Sequence, residues 1–276
     1  MTDDPPRPDP ARPDDGEFTH LRFDRDGDVL VVTIDRPGDE LNRVDERLHH
    51  ELTALFPRLQ RERQARAVLL TGQGRAFSAG GDFAWFPELQ RPGQLPALHL
   101  DGKALIWDLL DVHLPIVCAL NGHAVGLGAS IALLCDAVFM CHSATISDPH
   151  VKVGIVAGDG GTVAWPLAVG PMVAKRFLLT GDPVSAGQAE RLGLVTEVVP
   201  DGELHATALA YAHRLAAGAP LAVQGTKQAI NAHVKAALGQ SFDLATALEM
   251  GTFHSADHQE ALAALAEKRP PRFEGR

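Results

Sequence analysis

Cysteine is scarce: Cys118, Cys135 and Cys141 are the three in a chain of 276 residues. Their odd number, the lack of a CxxC pair and their apolar neighbours exclude a disulfide framework and a cysteine zinc site, and a reduced, cytoplasmic setting is expected. Positive charge is also in deficit, with 25 Lys and Arg against 35 Asp and Glu and a formal charge of −10. Binding a phosphate backbone needs a clustered basic face, so nucleic acid is excluded as a partner. The acidic balance says nothing against small anionic substrates, which local groups hold. No apolar run approaches the ~20 residues of a membrane span. The opening stretch MTDDPPRPDPARPDDGE is acidic and proline-rich, unlike a signal peptide, and residues 1–16 are expected to form a disordered tail.

What the chain does have is a hydrophobic content of 45%, enough for one large domain with an appendage. Apolar runs with strand character lie at residues 18–24, 29–35, 66–71, 115–120 and 136–141. Helical spacing marks VDERLHHELTALF, the stretch ALIWDLLDV around Trp107, and almost the whole chain from residue 203 onward. Strands that are apolar throughout and alternate with helices imply βαβ units around a mostly parallel sheet, followed by a helical appendage.

Two glycine-rich stretches each follow a strand and precede a helix: TGQGRAFSAGGDF at 71–83 and NGHAVGLGASIALLCD at 121–136. Glycine lets the backbone approach a ligand closely, and the first turn of a helix offers unpaired N–H groups, so either stretch could bind an anion or could simply turn the chain. Neither fits GxxxxGK[ST], nor GxGxxG with its acidic partner, which excludes those nucleotide sites.

Six segments in order resemble the crotonase superfamily, also called the enoyl-CoA hydratase/isomerase family: IDRPGDELNRVDERLHHEL, GRAFSAGGD, NGHAVGLGASIALLCD, DPHVKVGIVAGDGGT, FLLTGDPVSAGQAERLGLVTEVV and AEKRPPRF. The resemblance runs from about residue 17 to the C-terminus. It implies an α/β fold, a crotonase-like spiral of ββα units over residues 17–202 with a C-terminal helical trimerisation region over 203–276, assembled as a homotrimer or homohexamer. It implies no metal and no tightly bound cofactor, with coenzyme A entering as part of the substrate. It also implies two backbone N–H groups that hold a thioester oxygen as it becomes an oxyanion, which fall here on Gly81, in AGGD, and Leu127, in GLG. Leu127 stands where glycine is commoner, which narrows the pocket without removing the donor.

The side chains depart from the family's pattern. Its hydratases use two glutamates to activate and deliver water, and those positions read Ser130 and His150 here. A serine is no carboxylate base, whereas a histidine can act as one. His150 and Asp159, nine residues apart in SDPHVKVGIVAGDGG, resemble the pair used by the superfamily's carbon-carbon bond hydrolases, which cleave cyclic β-diketones by a retro-Claisen reaction without CoA. A carboxylate beside an imidazole fixes its tautomer and raises its basicity. The alternative is that Asp159 caps the helix starting near Gly161. Asp148 is expected to point away from His150 and to be structural, Asp82 to orient its loop, and His123 to serve its turn. Trp85, Phe86, Ser130, Glu249 and Phe253 are candidate lining for the substrate pocket. Leu41, Ala79, Gly81 and Lys268 are candidate CoA contacts, with Asp39 and Glu40 placing negative charge nearby.

The expected function is that of an enzyme acting on an acyl-CoA thioester by oxyanion or enolate stabilisation with His150 and Asp159. Two alternatives stand beside it: CoA-independent hydrolysis of a β-diketone, and a catalytically silent binding protein.

Overall fold

β1 (Leu21–Asp26) and β2 (Val29–Ile34) form an antiparallel hairpin through Gly27, and α1 (Glu46–Arg61) leads to β3 (Ala67–Gly72), parallel to β2. This computed structural model describes residues 18–276; the tail expected over residues 1–16 lies outside the described residues. β4 (Ala76–Ser78), α2 (Phe86–Leu89) and α3 (Gln94–Asp111) follow, then β5 (Ile116–Leu120), β6 (His123–Val125) and α4 (Leu127–Leu133). The chain continues through β7 (Ala137–Cys141), β8 (Thr145–Ser147), α5 (Gly161–Leu178), β9 (Val184–Ser185), α6 (Ala186–Leu192) and β10 (Glu197–Val199). The helices α7 (Leu204–Ala216), α8 (Pro220–Thr252) and α9 (Ala256–Ala266) complete it. Among the described residues, no helix is long and apolar enough to cross a membrane.

The larger sheet has strand order β1-β2-β3-β5-β7-β10, and the smaller has β4-β6-β8-β9. Successive units therefore give one strand to each sheet, β3 with β4, β5 with β6 and β7 with β8, which is the crotonase-like spiral of ββα units. The inner strands are apolar because both faces are covered: every residue of β2, β5 and β7 is buried, whereas the edge strand β1, LRFDRD, is largely exposed. On one side α1 buries Leu48, Leu52, Leu55, Phe56 and Leu59, one stripe at helical spacing. Its start is fixed by the Asp45 carboxylate, which accepts from the Leu48 amide at 2.8 Å.

The strand expected over residues 18–24 begins later, at Leu21. The Thr19 and His20 amides donate instead to the buried Glu51 carboxylate, at 2.7 and 2.8 Å, so this backbone has a side-chain partner in place of a ladder. The short strands of the smaller sheet carry no periodicity that a sequence reading could find.

The loop that ends at Gly81 is hung on one side chain. Asn42 is fully buried and has φ of 48°. Its Oδ1 accepts from the Arg36 amide at 3.0 Å, and its Nδ2 donates to the carbonyls of Gln73 and Ala76 at 2.9 and 3.0 Å. The Ser78 hydroxyl donates to the Asn42 carbonyl at 2.9 Å. Asn42→Ala leaves several of these groups buried and unpaired and puts alanine in a left-handed conformation, so it is expected to lower unfolding free energy by about 2–3 kcal/mol, measured by urea denaturation.

Candidate active site

His150 follows β8 across a tight turn. Pro149, at φ −91° and ψ 20°, ends the extended segment, and a 3-10 turn runs over His150–Val153. The imidazole is largely buried, with a side-chain exposure of 13%. Its Nδ1 hydrogen-bonds Asp148 Oδ1. The expectation that Asp148 points away is therefore wrong: residues two apart in an extended chain share a face, and the turn at Pro149 closes the remaining gap. The turn is held from outside by α9, where the His258 ring donates from Nδ1 to the Val153 carbonyl at 2.7 Å. Space beside the ring comes from Gly126, whose φ is 54° and whose missing Cβ would sit 3.2 Å from His150 Cε1.

Asp159 arrives in the loop that opens α5. Its Oδ2 lies 3.5 Å from His150 Nε2, and its Oδ1 accepts from the Ser130 hydroxyl at 3.1 Å. It sits just ahead of the first turn of α5, where the positive end of the helix favours a carboxylate, and faces the imidazole from there. Ser130 thus bonds across to another element, not within its own helix. Glycine is required at 161 because a Cβ there would meet Asp148 Oδ2 at 2.1 Å. The first turn of α5 consequently sits against two carboxylates, the arrangement that a helix N-terminus favours.

Glu249 reaches the same ring from α8, with Oε1 3.9 Å from His150 Nε2. Three carboxyl groups thus face one imidazole in a site that is nearly closed to solvent. Burial works against the charged ring, but Asp148, Asp159 and Glu249 together outweigh it and hold His150 well above the ordinary histidine value. Burial raises Asp159, with His150 pulling against it. Burial and the neighbouring Asp159 push Glu249 up to about 8, despite the attraction of His150, so at pH 7 Glu249 carries a proton it can give. The 3.5 and 3.9 Å separations at Nε2 are longer than a normal hydrogen bond, so the contacts with Asp159 and Glu249 are mainly electrostatic.

A cavity of about 100 Å³ opens onto this ring. Gly81 and Leu127 line it, and among the described residues neither main-chain N–H is given to another backbone carbonyl. Leu127 is the first residue of α4, where the amide has no partner within the helix. Trp85, Phe86, Glu249 and Phe253 line the cavity as well, joined by Val44, Ile155 and Met250. Ser130 does not line it and contributes through Asp159. Of the candidate CoA contacts, Ala79 donates to the Leu41 carbonyl at 2.9 Å, next to the bridge between Val44 and Gly81. No hydrogen bond or ion pair joins Lys268 to them; it lies exposed past α9, and its neighbour Arg269 is taken up by Glu260 at 2.9 Å. Asp39 pairs with Arg36 and Arg43 at 3.2 and 3.0 Å, so its charge is largely met within its own loop. Asp82 orients its loop through the Ala84 amide and Arg36. His123 bonds Thr145 in the smaller sheet at 2.8 Å.

Asp148, His150 and Asp159 offer ligand atoms within 4.8 Å of one another. A metal would need the lone pair of one imidazole nitrogen, yet each nitrogen already faces a carboxylate, an arrangement suited to moving a proton. Sequence reasoning missed Asp148 as a partner of His150, although the D-P-H spacing carried the signal. It placed Glu249 at the pocket but not beside the imidazole, since nothing local links positions 150 and 249. His49 and His99, which also line the cavity, gave no signal.

The sequence profile of the enoyl-CoA hydratase/isomerase family matches residues 24–276. The 2,3-dehydroadipyl-CoA hydratase of Escherichia coli K12 is 35% identical over 211 residues, 75% of this chain and 80% of that protein. The crystal structure of an enoyl-CoA hydratase/isomerase from Mycobacterium paratuberculosis superposes with a TM-score of 0.85 at 39% identity, covering 89% of this chain and 98% of that one. A β-diketone hydrolase from the cyanobacterium Anabaena, solved with (S)-3-oxocyclohexyl acetic acid, superposes with a TM-score of 0.81 at 31% identity, covering 86% and 95%.

The cluster also shapes folding stability. Glu249 ionises near 4.5 when unfolded and near 8 when folded, so between those values the unfolded chain binds fewer protons and stability falls as pH rises. Glu249→Gln removes this penalty. Its stability relative to the native chain is expected to increase between pH 5 and 8, by on the order of 3 kcal/mol, in urea denaturation across that range.

Proposed function

The chain belongs to the enoyl-CoA hydratase/isomerase family, and on that footing we propose that it is an enzyme that uses His150 to activate water and cleaves a carbon-carbon bond of a compact 1,3-dicarbonyl compound. The observation that carries this reading is the imidazole held at Nδ1 by Asp148, with Nε2 turned to Asp159 and Glu249. In the family's hydratases a glutamate pair does this work. Asp148 fixes the tautomer with the proton on Nδ1, which leaves the Nε2 lone pair to take a proton from water.

In the proposed sequence, the water oxygen attacks one carbonyl carbon as Nε2 takes its proton. The charge that develops on the carbonyl oxygen is received by the free N–H groups of Gly81 and Leu127, each contributing about 3–4 kcal/mol. The bond to the central carbon then breaks, and its electron pair forms the enolate of the second carbonyl. Glu249, protonated at neutral pH, or the imidazolium returns a proton to that carbon. The products are a carboxylic acid and a ketone, which balance one water and one dicarbonyl. A cavity of about 100 Å³ suits a compact ring better than a long acyl chain. The β-diketone hydrolase among the structural neighbours supports the reading.

A second reading is favoured by the intact turns at Gly81 and Leu127 and by the CoA-thioester hydratases among the relatives. Here the same base adds water to a 2-enoyl-CoA, and the Leu41, Ala79 and Gly81 backbone receives the cofactor end of the substrate. The family's trimer or hexamer belongs to either reading.

Turnover of cyclic 1,3-diketones and of 2-enoyl-CoA thioesters in ¹⁸O-labelled water separates them. We expect one ¹⁸O in the carboxylate of a ring-opened keto acid. Label in the hydroxyl of a 3-hydroxyacyl-CoA would select the second reading, and no turnover of either class would leave a binding protein. On the active substrate, His150→Ala and Asp159→Asn are each expected to lower kcat by about 10²–10⁴-fold while KM changes little. The working base must be neutral, so activity falls as pH drops through the raised value of His150. Asp148→Asn removes one carboxylate that favours the charged ring, and the acidic limb of the kcat/KM profile is expected to move to lower pH.

A further inference from the structure

The cavity wall carries a second polar group that the proposed reaction does not use. His49, on α1, and His99, on α3, line the same cavity as His150. His49 is 6% exposed, and its ring lies against Trp85 with centroids 5.7 Å apart. Burial pushes its imidazole down to about 4, against the pull of Asp101 and with a further push from His50. The ring is therefore neutral at pH 7, with one nitrogen donating and the other accepting. His49 and His99 come from α1 and α3, whereas the carboxylates facing His150 come from the turns flanking it and from α8. His99 Nδ1 is buried and has no hydrogen-bond partner among the described residues. Folded proteins seldom leave such an atom unpaired unless a ligand or water completes it. Trp85, Leu98 and Gly102 line the cavity with them.

Building on the carbonyl substrate proposed above, we infer that His49 and His99 form a remote subsite that receives an uncharged oxygen of the substrate, a keto or hydroxyl group away from the carbonyl under attack. An apolar pocket with a few placed polar groups is how small-molecule sites obtain orientation and specificity. The neutral His49 imidazole can give such an oxygen a donor without fixed charge. Among the described residues that line the cavity there is no lysine or arginine, and a carboxylate beside His49 would face the negative potential of Asp101.

The test uses probes that cannot undergo β-diketone cleavage. Calorimetry of the full chain with cyclohexane-1,4-dione and with cyclohexanone compares two rings that differ by one oxygen. We expect the dione to bind about tenfold more tightly, the effect of one good hydrogen bond. His99→Phe should abolish the preference, and His99→Gln, which keeps a polar end, should retain part of it. His150→Ala should leave the preference intact. Equal affinity of the two probes, no binding of either, or a preference that survives in His99→Phe and His49→Phe would overturn the inference. So would tighter binding of 4-oxocyclohexanecarboxylate than of the dione. If the preference and its loss in His99→Phe stand while no 1,3-diketone is turned over, the reaction reading fails and the subsite remains; turnover without the preference is the reverse.

Discussion

One imidazole buried among three carboxyl groups is the constraint on which the site depends. Such a cluster is costly to assemble, because each charge taken from water loses hydration that only close partners and aligned dipoles replace. The chain meets that demand from four directions. Asp148 precedes the ring on the same turn, the first turn of α5 supports Asp159, Ser130 reaches Asp159 from α4, and α8 brings Glu249 from the far end of the sequence. Together they hold an imidazole that favours its charged form beside a carboxyl group that keeps its proton. Local rules that would be broken elsewhere, such as a carboxylate oxygen of Asp148 without a hydrogen-bond partner, gather at this point, where a functional site is expected to hold them.

The two sheets divide the work that positions this chemistry. The larger sheet and its helices make a rigid core, and the smaller sheet collects the chain just before each functional turn. β4 leads to Gly81, β6 to Leu127 and β8 to His150. Because those three strands are neighbours, their C-terminal ends bring two free amides and one base to the same cavity. The spiral connection therefore converts three distant segments into one site, and the buried hydrogen bonds of Asn42 fix the first of them.

Much of this was legible in the chain. Runs at 29–35, 66–71, 115–120 and 136–141 marked four inner strands of the larger sheet within a residue or two, since a strand covered on both faces must be apolar throughout, and the exposed edge strand β1 was found beside them. The two glycine turns and the His150 and Asp159 pair stood out because their residue types are unusual beside apolar strands. What the sequence concealed was orientation and long-range proximity. The direction of Asp148 depended on the backbone angles at Pro149, and the approach of Glu249 depended on how α8 packs. His49 and His99 look like ordinary helix residues until α1 and α3 are placed side by side. The first residues of the strand expected at 18 were also hidden, because a distant carboxylate, Glu51, takes their amides.

In the proposed reaction Asp148 holds the proton on Nδ1 and makes His150 an unusually strong base. ¹⁵N NMR titration of the His150 ring in the full chain tests it most directly. We expect an imidazolium that persists well above pH 6.5 and, once neutral, keeps its remaining proton on Nδ1. A ring that titrates at or below 6.5, or whose neutral form carries its proton on Nε2, would contradict it.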